Sequence, residues 1–213
     1  MMPLANRPDL DHIASHSHLH LEGVMGFIEG RTILNRQAMT ARDYIWLAVL
    51  GAVERAPLTM DEVAQAVAAL AGPAWMPVSQ LSFDAMDEML EGGLLNPVER
   101  SLRLAITGDG RRRLQDLVAQ PLAAPLSTFG QVGIRLKLAF LDLAPAAVRR
   151  RQIDALLRAC DCEIATRTAA CAAWSLNGPL GRVWLDHQVD ALEEMAEVLR
   201  RLARAEGTGL IEG

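Results

Sequence analysis

The strongest constraint on the fold of this 213-residue chain lies near its C-terminus. Leu185, Val189, Leu192, Ala196, Leu199 and Ala203 recur at alternating intervals of four and three residues between Arg182 and Ala205. That spacing puts them on one stripe of a single α-helix, and small residues at one of the two seam positions let another helix come close. Glu193, Glu194 and Glu197 precede Arg200, Arg201 and Arg204, an order that suits the helix dipole. A helix with such a seam needs a partner surface. Two partners are open: helices of the same chain, or the same seam of a second copy. The C-terminal segment has few internal partners to offer, which favours dimerisation through Leu185, Val189, Leu192, Ala196, Leu199 and Ala203.

The residues before the seam are also helical in pattern. Gln131–Leu143 reads as one helix. Pro145 then stands where a first helical residue is expected, because its missing N–H is not needed there. From Pro145 to Trp174, Val148, Ile153, Leu156, Leu157, Cys160, Ile164 and Cys171 recur at helical spacing, and Asn177–Gly181 breaks the chain. Residues 121–130, with Pro121, Pro125 and Gly130, read as a linker, so 131–213 forms a helical dimerisation domain.

The stretch 39–120 has a different rhythm. Ala41–Arg55 carries an apolar face and stops before Pro57. Thr59 and Glu62 form a capping box for a second helix that ends at Ala71-Gly72-Pro73. A third helix spans Val78–Glu91, with Leu81, Phe83, Met86, Met89 and Leu90 expected to be buried and Gly92-Gly93 expected to supply a left-handed cap. Two short strands follow, the second from Leu102 to Ile106, and Thr107 opens a fourth helix. Helix, helix, helix, hairpin, helix is the order of a winged helix. The fold expected is therefore mainly α: a winged helix-turn-helix domain with a small β-hairpin wing, then an α-helical dimerisation domain. Residues 1–38 stand apart as a His-rich N-terminal extension. His12, His16 and His20 would share one helix face if the segment were helical, but a solvated arm is the simpler reading and no metal site is expected.

The stretch Ser82-Phe-Asp-Ala-Met-Asp-Glu-Met-Leu-Glu-Gly-Gly-Leu-Leu95 and the return through Leu104-Ala-Ile-Thr-Gly-Asp-Gly110 resemble the PadR family of transcriptional regulators. Phe83 takes the place usually held by tyrosine. Arg135-Leu-Lys-Leu-Ala-Phe-Leu141 and the terminal heptad helix resemble that family's dimerisation helices, and the resemblance covers about residues 40–205. It implies a homodimer that presents two winged helices to double-stranded operator DNA. It also implies modulation by a small-molecule effector or a protein partner.

Charge pulls against DNA binding. Residues 40–119 hold seven basic and eleven acidic side chains, and the third helix carries Asp84, Asp87, Glu88 and Glu91 with no Lys or Arg. Phosphate contact calls for the opposite sign. The candidates that remain are Ser79, Gln80, Ser82 and Phe83 at the start of the third helix for base edges, with Arg100 and Arg103 on the hairpin and Arg111, Arg112 and Arg113 beyond it for phosphates. The arginine run also reads as a solvated helix face. The alternative function is a PadR-like protein whose acidic helix acts by protein–protein interaction rather than by DNA binding.

No catalytic constellation appears: no phosphate-binding glycine loop, no nucleophile elbow and no paired metal-binding histidines. The chain is expected not to be an enzyme and to need no cofactor. Trp174 and Trp184 flank the Asn177–Gly181 break and could line a ligand pocket, or could simply anchor the helix corner. Cys160, Cys162 and Cys171 form no CxxC pair and read as buried structural thiols. No leader or membrane-spanning run is visible, so a cytoplasmic protein without membrane partners is expected.

Overall fold

Short polar side chains start the helices. Thr40 accepts from the Asp43 backbone N–H (3.3 Å) while the Asp43 carboxylate accepts from the Thr40 N–H (2.9 Å). Thr59 and Glu62 repeat the exchange at 3.3 and 2.8 Å, the capping box expected from sequence. Thr107 and Ser127 cap two further helices through the N–H groups of Gly110 and Gly130. The computed structural model describes residues 38–72, 78–173 and 178–208. In chain order these form α1 (Ala41–Arg55), β1 (Leu58–Thr59), α2 (Met60–Ala71), α3 (Val78–Glu91), β2 (Leu95–Pro97), β3 (Arg103–Ile106), α4 (Gly108–Ala119), α5 (Thr128–Phe140), a 3-10 turn (Leu141–Leu143), α6 (Ala146–Ala173) and α7 (Pro179–Gly207).

The protein is mainly α-helical, a winged helix-turn-helix followed by helices. Gly93 ends α3 at φ 68°, with Leu94 N–H donating to the Met89 carbonyl (2.8 Å) and Gly93 N–H to that of Leu90 (3.2 Å). This is the left-handed cap that only glycine adopts without strain. The wing belongs to a three-stranded antiparallel sheet in the order β1-β3-β2, with Leu58 opposite Leu104 and Leu95 opposite Ile106. The sequence suggested two strands. The third, Leu58–Thr59, is too short to show alternation, and it exists because β3 offers it a ladder.

One hydrophobic core runs from Leu47 and Leu50 of α1 through Val63, Met86 and Leu117 to Leu136 and Phe140 of α5, then Ile153 and Leu156 of α6 and Leu199 of α7. Helix α1 lies at its centre. A side chain added at Gly51 would bring Cβ to 2.6 Å from the Phe140 ring, against its body rather than a flexible end. Gly51→Val is therefore expected to destabilise the fold by about 1–3 kcal/mol through overpacking. Chemical denaturation at neutral pH would measure it, and an unchanged midpoint would refute the close approach of α1 and α5.

The chain's one lysine is buried where α4, α5 and α6 meet. Lys137 Nζ donates to the Val118 carbonyl (2.8 Å), to the Gln120 carbonyl and to Gln152 Oε1 (3.0 Å), and Gln152 Nε2 donates to the Ala119 carbonyl (2.7 Å). Two side chains thus satisfy three successive carbonyls at the end of α4, which no helix can satisfy for itself. Burial pushes the Lys137 ammonium down to about 7.

Helices α6 and α7 form an antiparallel hairpin. Their cross-links step in opposite directions: Arg149 to Glu206 (2.7 Å), Arg200 to Asp161 (3.3 Å) and Arg167 to Gln188 (3.0 Å). The hairpin closes the heptad seam within the chain at one end, where Leu192, Ala196 and Leu199 are buried and Ala203 half-buried. These positions were expected to face a second copy. Periodicity identifies a stripe but not which surface covers it, and α6 covers this one. Leu185 and Val189 are only half-buried. From Asp161 to the end of α6 and from Gly178 to Ala191, no residue with a described side chain is buried.

Candidate nucleic-acid interface

A winged helix reads DNA with the exposed face of its third helix, and that face differs from the one inferred from sequence. Ser82 is 0% exposed and faces the core, while Leu81 is 42% exposed. Phe83 is half-buried against the core, and Ala85, Met86 and Met89 complete the inner face. The helix is thus turned relative to the apolar count. Leucine was taken as the inward residue and serine as the outward one, whereas the small hydroxyl is the one that fits beneath α3. Ser82 therefore presents no side chain to a groove in this conformation.

The exposed face of α3 consists of Gln80, Leu81, Asp84, Asp87, Glu88 and Glu91. Gln80 Nε2 donates to Asp84 Oδ1 at 2.9 Å, which ties up part of its capacity to read a base. The Ser79 side chain lies outside the described residues, as do residues 1–37, with their histidines, and Trp174.

The arginines beyond the wing are in place but not free. Arg111 Nε lies 3.0 Å from Glu54, Arg112 pairs with Asp109, and Arg113 lies 2.9 Å from Asp43. Two of the three carboxylates belong to α1, so Arg111 and Arg113 brace α4 against α1. Arg42 and Arg113 both stack on the Trp46 ring, at 4.8 and 5.5 Å from its centroid, and Arg42 reaches Glu88 of α3 at 2.7 Å. Arg–Trp stacking of this kind, with its ion pairs, links α4, α1 and α3. Sequence reasoning missed Arg42 and Trp46; the signal was present as a cation four residues from an indole on one helix.

On the wing, Arg103 Nη1 donates to the Pro57 carbonyl at 3.1 Å, tying β3 to the start of β1. Arg100 sits at the hairpin tip with φ 58°, a left-handed turn position held by a residue other than glycine. Leu102 beside it is almost fully exposed. The Thr59 backbone N–H, helped by the Thr59 hydroxyl and by Arg103, holds the Glu62 carboxyl below its ordinary value. The start of α2 therefore carries a firm negative charge close to the wing.

The second expected site also divides. Trp184 is 62% exposed, its ring 5.9 Å from His187. Cys160 is buried and Cys162 exposed. Among the described residues no three His, Cys, Asp or Glu side chains gather as metal ligands, and no helix is long and apolar enough to cross a membrane.

No curated protein matches the chain. Residues 34–203 match the family described as "Putative AphA-like transcriptional regulator". That span takes in the winged helix and most of the α6–α7 hairpin, and on it the chain belongs to the AphA-like family of transcriptional regulators.

Proposed function

We propose that the protein is a dimeric regulator that binds duplex DNA through α3 and the wing, in the manner implied by its resemblance to PadR proteins. The winged helix in a regulator family carries this reading. The ion pairs of Arg111, Arg112 and Arg113 do not oppose it. Their guanidiniums keep roughly a third to three quarters of their exposure. The Arg112–Asp109 pair is exposed on both sides and is worth only about 0–1 kcal/mol, so a DNA phosphate can replace its carboxylate at little cost, whereas Arg111 and Arg113 would accept a phosphate beside the carboxylates they already brace. Gln80 and Leu81 at the start of α3 would meet the groove, and Arg100 and Arg103 the backbone beside it, while Phe83, packed against the core, would not.

The dimer in this reading forms through the outer half of the α6–α7 hairpin rather than through the buried seam. Two helices that extend past Asp161 and Ala191 without a buried side chain among the described residues leave Leu180, Val183 and Trp184 in water. A second copy laid against them supplies the missing layer. The same surface is where an effector would meet Trp184.

Salt dependence of duplex binding tests the DNA reading. Replacing Arg111, Arg112 and Arg113 with alanine should weaken binding across all sequences and flatten the slope of log K against log salt by about 0.9 per lost phosphate contact. If the intact dimer retains no duplex at low salt, the DNA reading fails. One observation favours a second reading in that event. Asp84, Asp87, Glu88 and Glu91 make the exposed face of α3 acidic, as suits docking on a basic protein surface.

A further inference from the structure

The junction between winged helix and hairpin holds a cavity of about 290 Å³. Pro121, Leu122, Pro125 and Leu156 give it aliphatic walls, Ala155 and Arg151 stand at it from α6, and Gln152 reaches it from the Lys137 cluster. Arg151 is the charged side chain that lines it, and it also belongs to the neighbouring groove of α6. Arg150, Arg151 and Arg158 are exposed on α6 with Asp154 among them, and none of the three arginines has an ion-pair or hydrogen-bond partner among the described residues. The arginines beyond the wing contrast with them: Arg111, Arg112 and Arg113 are each neutralised by a carboxylate. Lys137 lies beneath Gln152.

The geometry points to this cavity as a binding site for an aliphatic monocarboxylate, with the alkyl chain against Leu122, Pro125 and Leu156 and the carboxylate on the Arg151 guanidinium. An apolar wall with a single unpaired guanidinium selects a molecule that is apolar at one end and anionic at the other. No aromatic side chain lines the cavity, so nothing in it stacks on a flat ring, and an extended alkyl chain fits its walls better. The volume holds a chain of several methylenes.

The position suggests what occupancy would do. Gln152 joins Lys137 to the Ala119 carbonyl, and Ala119 also lines the cavity. A ligand there touches the joint that fixes α4 to α6, between the winged helix and the α6–α7 hairpin. The site does not depend on the DNA reading, because binding is measured on the free protein.

Calorimetric titration of the full chain with sodium octanoate tests the proposal, with 1-octanol and octylamine as matched probes. Octanoate is expected to bind one per chain at low-millimolar concentration. Octanol should bind about tenfold more weakly or worse, a difference of about 1.4 kcal/mol, and octylamine should not bind. Arg151→Gln should weaken octanoate by a similar factor. Ala155→Trp, at an exposed position that leaves the core intact, should abolish binding by filling the mouth. Octanoate should also move the NMR signal of Lys137, the chain's one lysine, through Gln152. Failure of octanoate to bind overturns the proposal. So does equal binding of octanol, which would remove Arg151 from recognition, or undiminished binding in Ala155→Trp, which would put the ligand elsewhere.

Discussion

On the proposed dimer, the double variant Val183→Glu/Trp184→Glu is expected to sediment as a monomer of about 23.2 kDa at concentrations where the wild type is expected to sediment as a dimer. Both side chains stand mostly in water on a hairpin arm where none of the described side chains is buried. An exposed tryptophan beside an exposed valine and Leu180 forms the kind of anchor that dominates an interface, each worth about 2 kcal/mol or more when lost. Four carboxylates facing one another across a two-fold axis would add repulsion. The dissociation constant should rise roughly a hundredfold or more. A parallel variant separates this interface from the heptad seam. Leu199→Asp breaks the buried seam and should lower stability in a way that does not depend on protein concentration, because α6 covers Leu199 within the same chain. If Leu199→Asp yields a folded monomer while Val183→Glu/Trp184→Glu stays dimeric, the seam is the interface and the arm is not.

The contrast between seam and arm also shows what was legible in the sequence. Local signals were readable because their physics is local. Thr59 with Glu62 needs only a four-residue stretch to declare a capped helix, and Gly93 declares its left-handed stop by being glycine. Pro145 likewise announced the start of α6, where its carbonyl accepts from Val148 and Arg149. Features settled by tertiary contact were not readable. Strand β1 depends on a neighbour about 45 residues away in sequence. The turn of α3 that buries Ser82 and exposes Leu81 depends on the space left beneath it, which no periodicity records. The arginine run was visible, but its neutralisation by Glu54 and Asp43 required α1 and α4 to be packed first. Lys137 is the sharpest case. A lysine is almost never fully buried unless its ammonium finds acceptors, and those here come from the end of α4 and from α6.

That lysine supports a prediction with two independent readouts. Because it is the chain's one lysine, ¹³C-lysine labelling yields a single Cε signal without assignment, expected to titrate near pH 7 rather than at the ordinary 10.5. The effect on stability has a definite sign. Between about pH 7 and 10.5 the unfolded chain holds a proton at Lys137 that the folded chain has released, leaving an amine that donates to two of its three acceptors, so folding gains stability as pH rises through that window. Cys160 and Tyr44, both pushed up chiefly by burial, work the other way above their ordinary values of 9.0 and 10.0, so the rise is clearest from pH 7 to 9. Lys137→Met keeps most of the volume and removes the donors. It strands the Val118 and Gln120 carbonyls, at about 1–3 kcal/mol each, less the cost of having buried a cation. Denaturant titration should show the variant losing more at pH 9 than at pH 7, because the wild type gains stability over that range and methionine cannot. A variant that is merely badly packed would lose the same amount at both. Equal losses, or a lysine signal that titrates near 10.5, would mean that three acceptors around the ammonium outweigh its burial and hold the charge at the joint throughout.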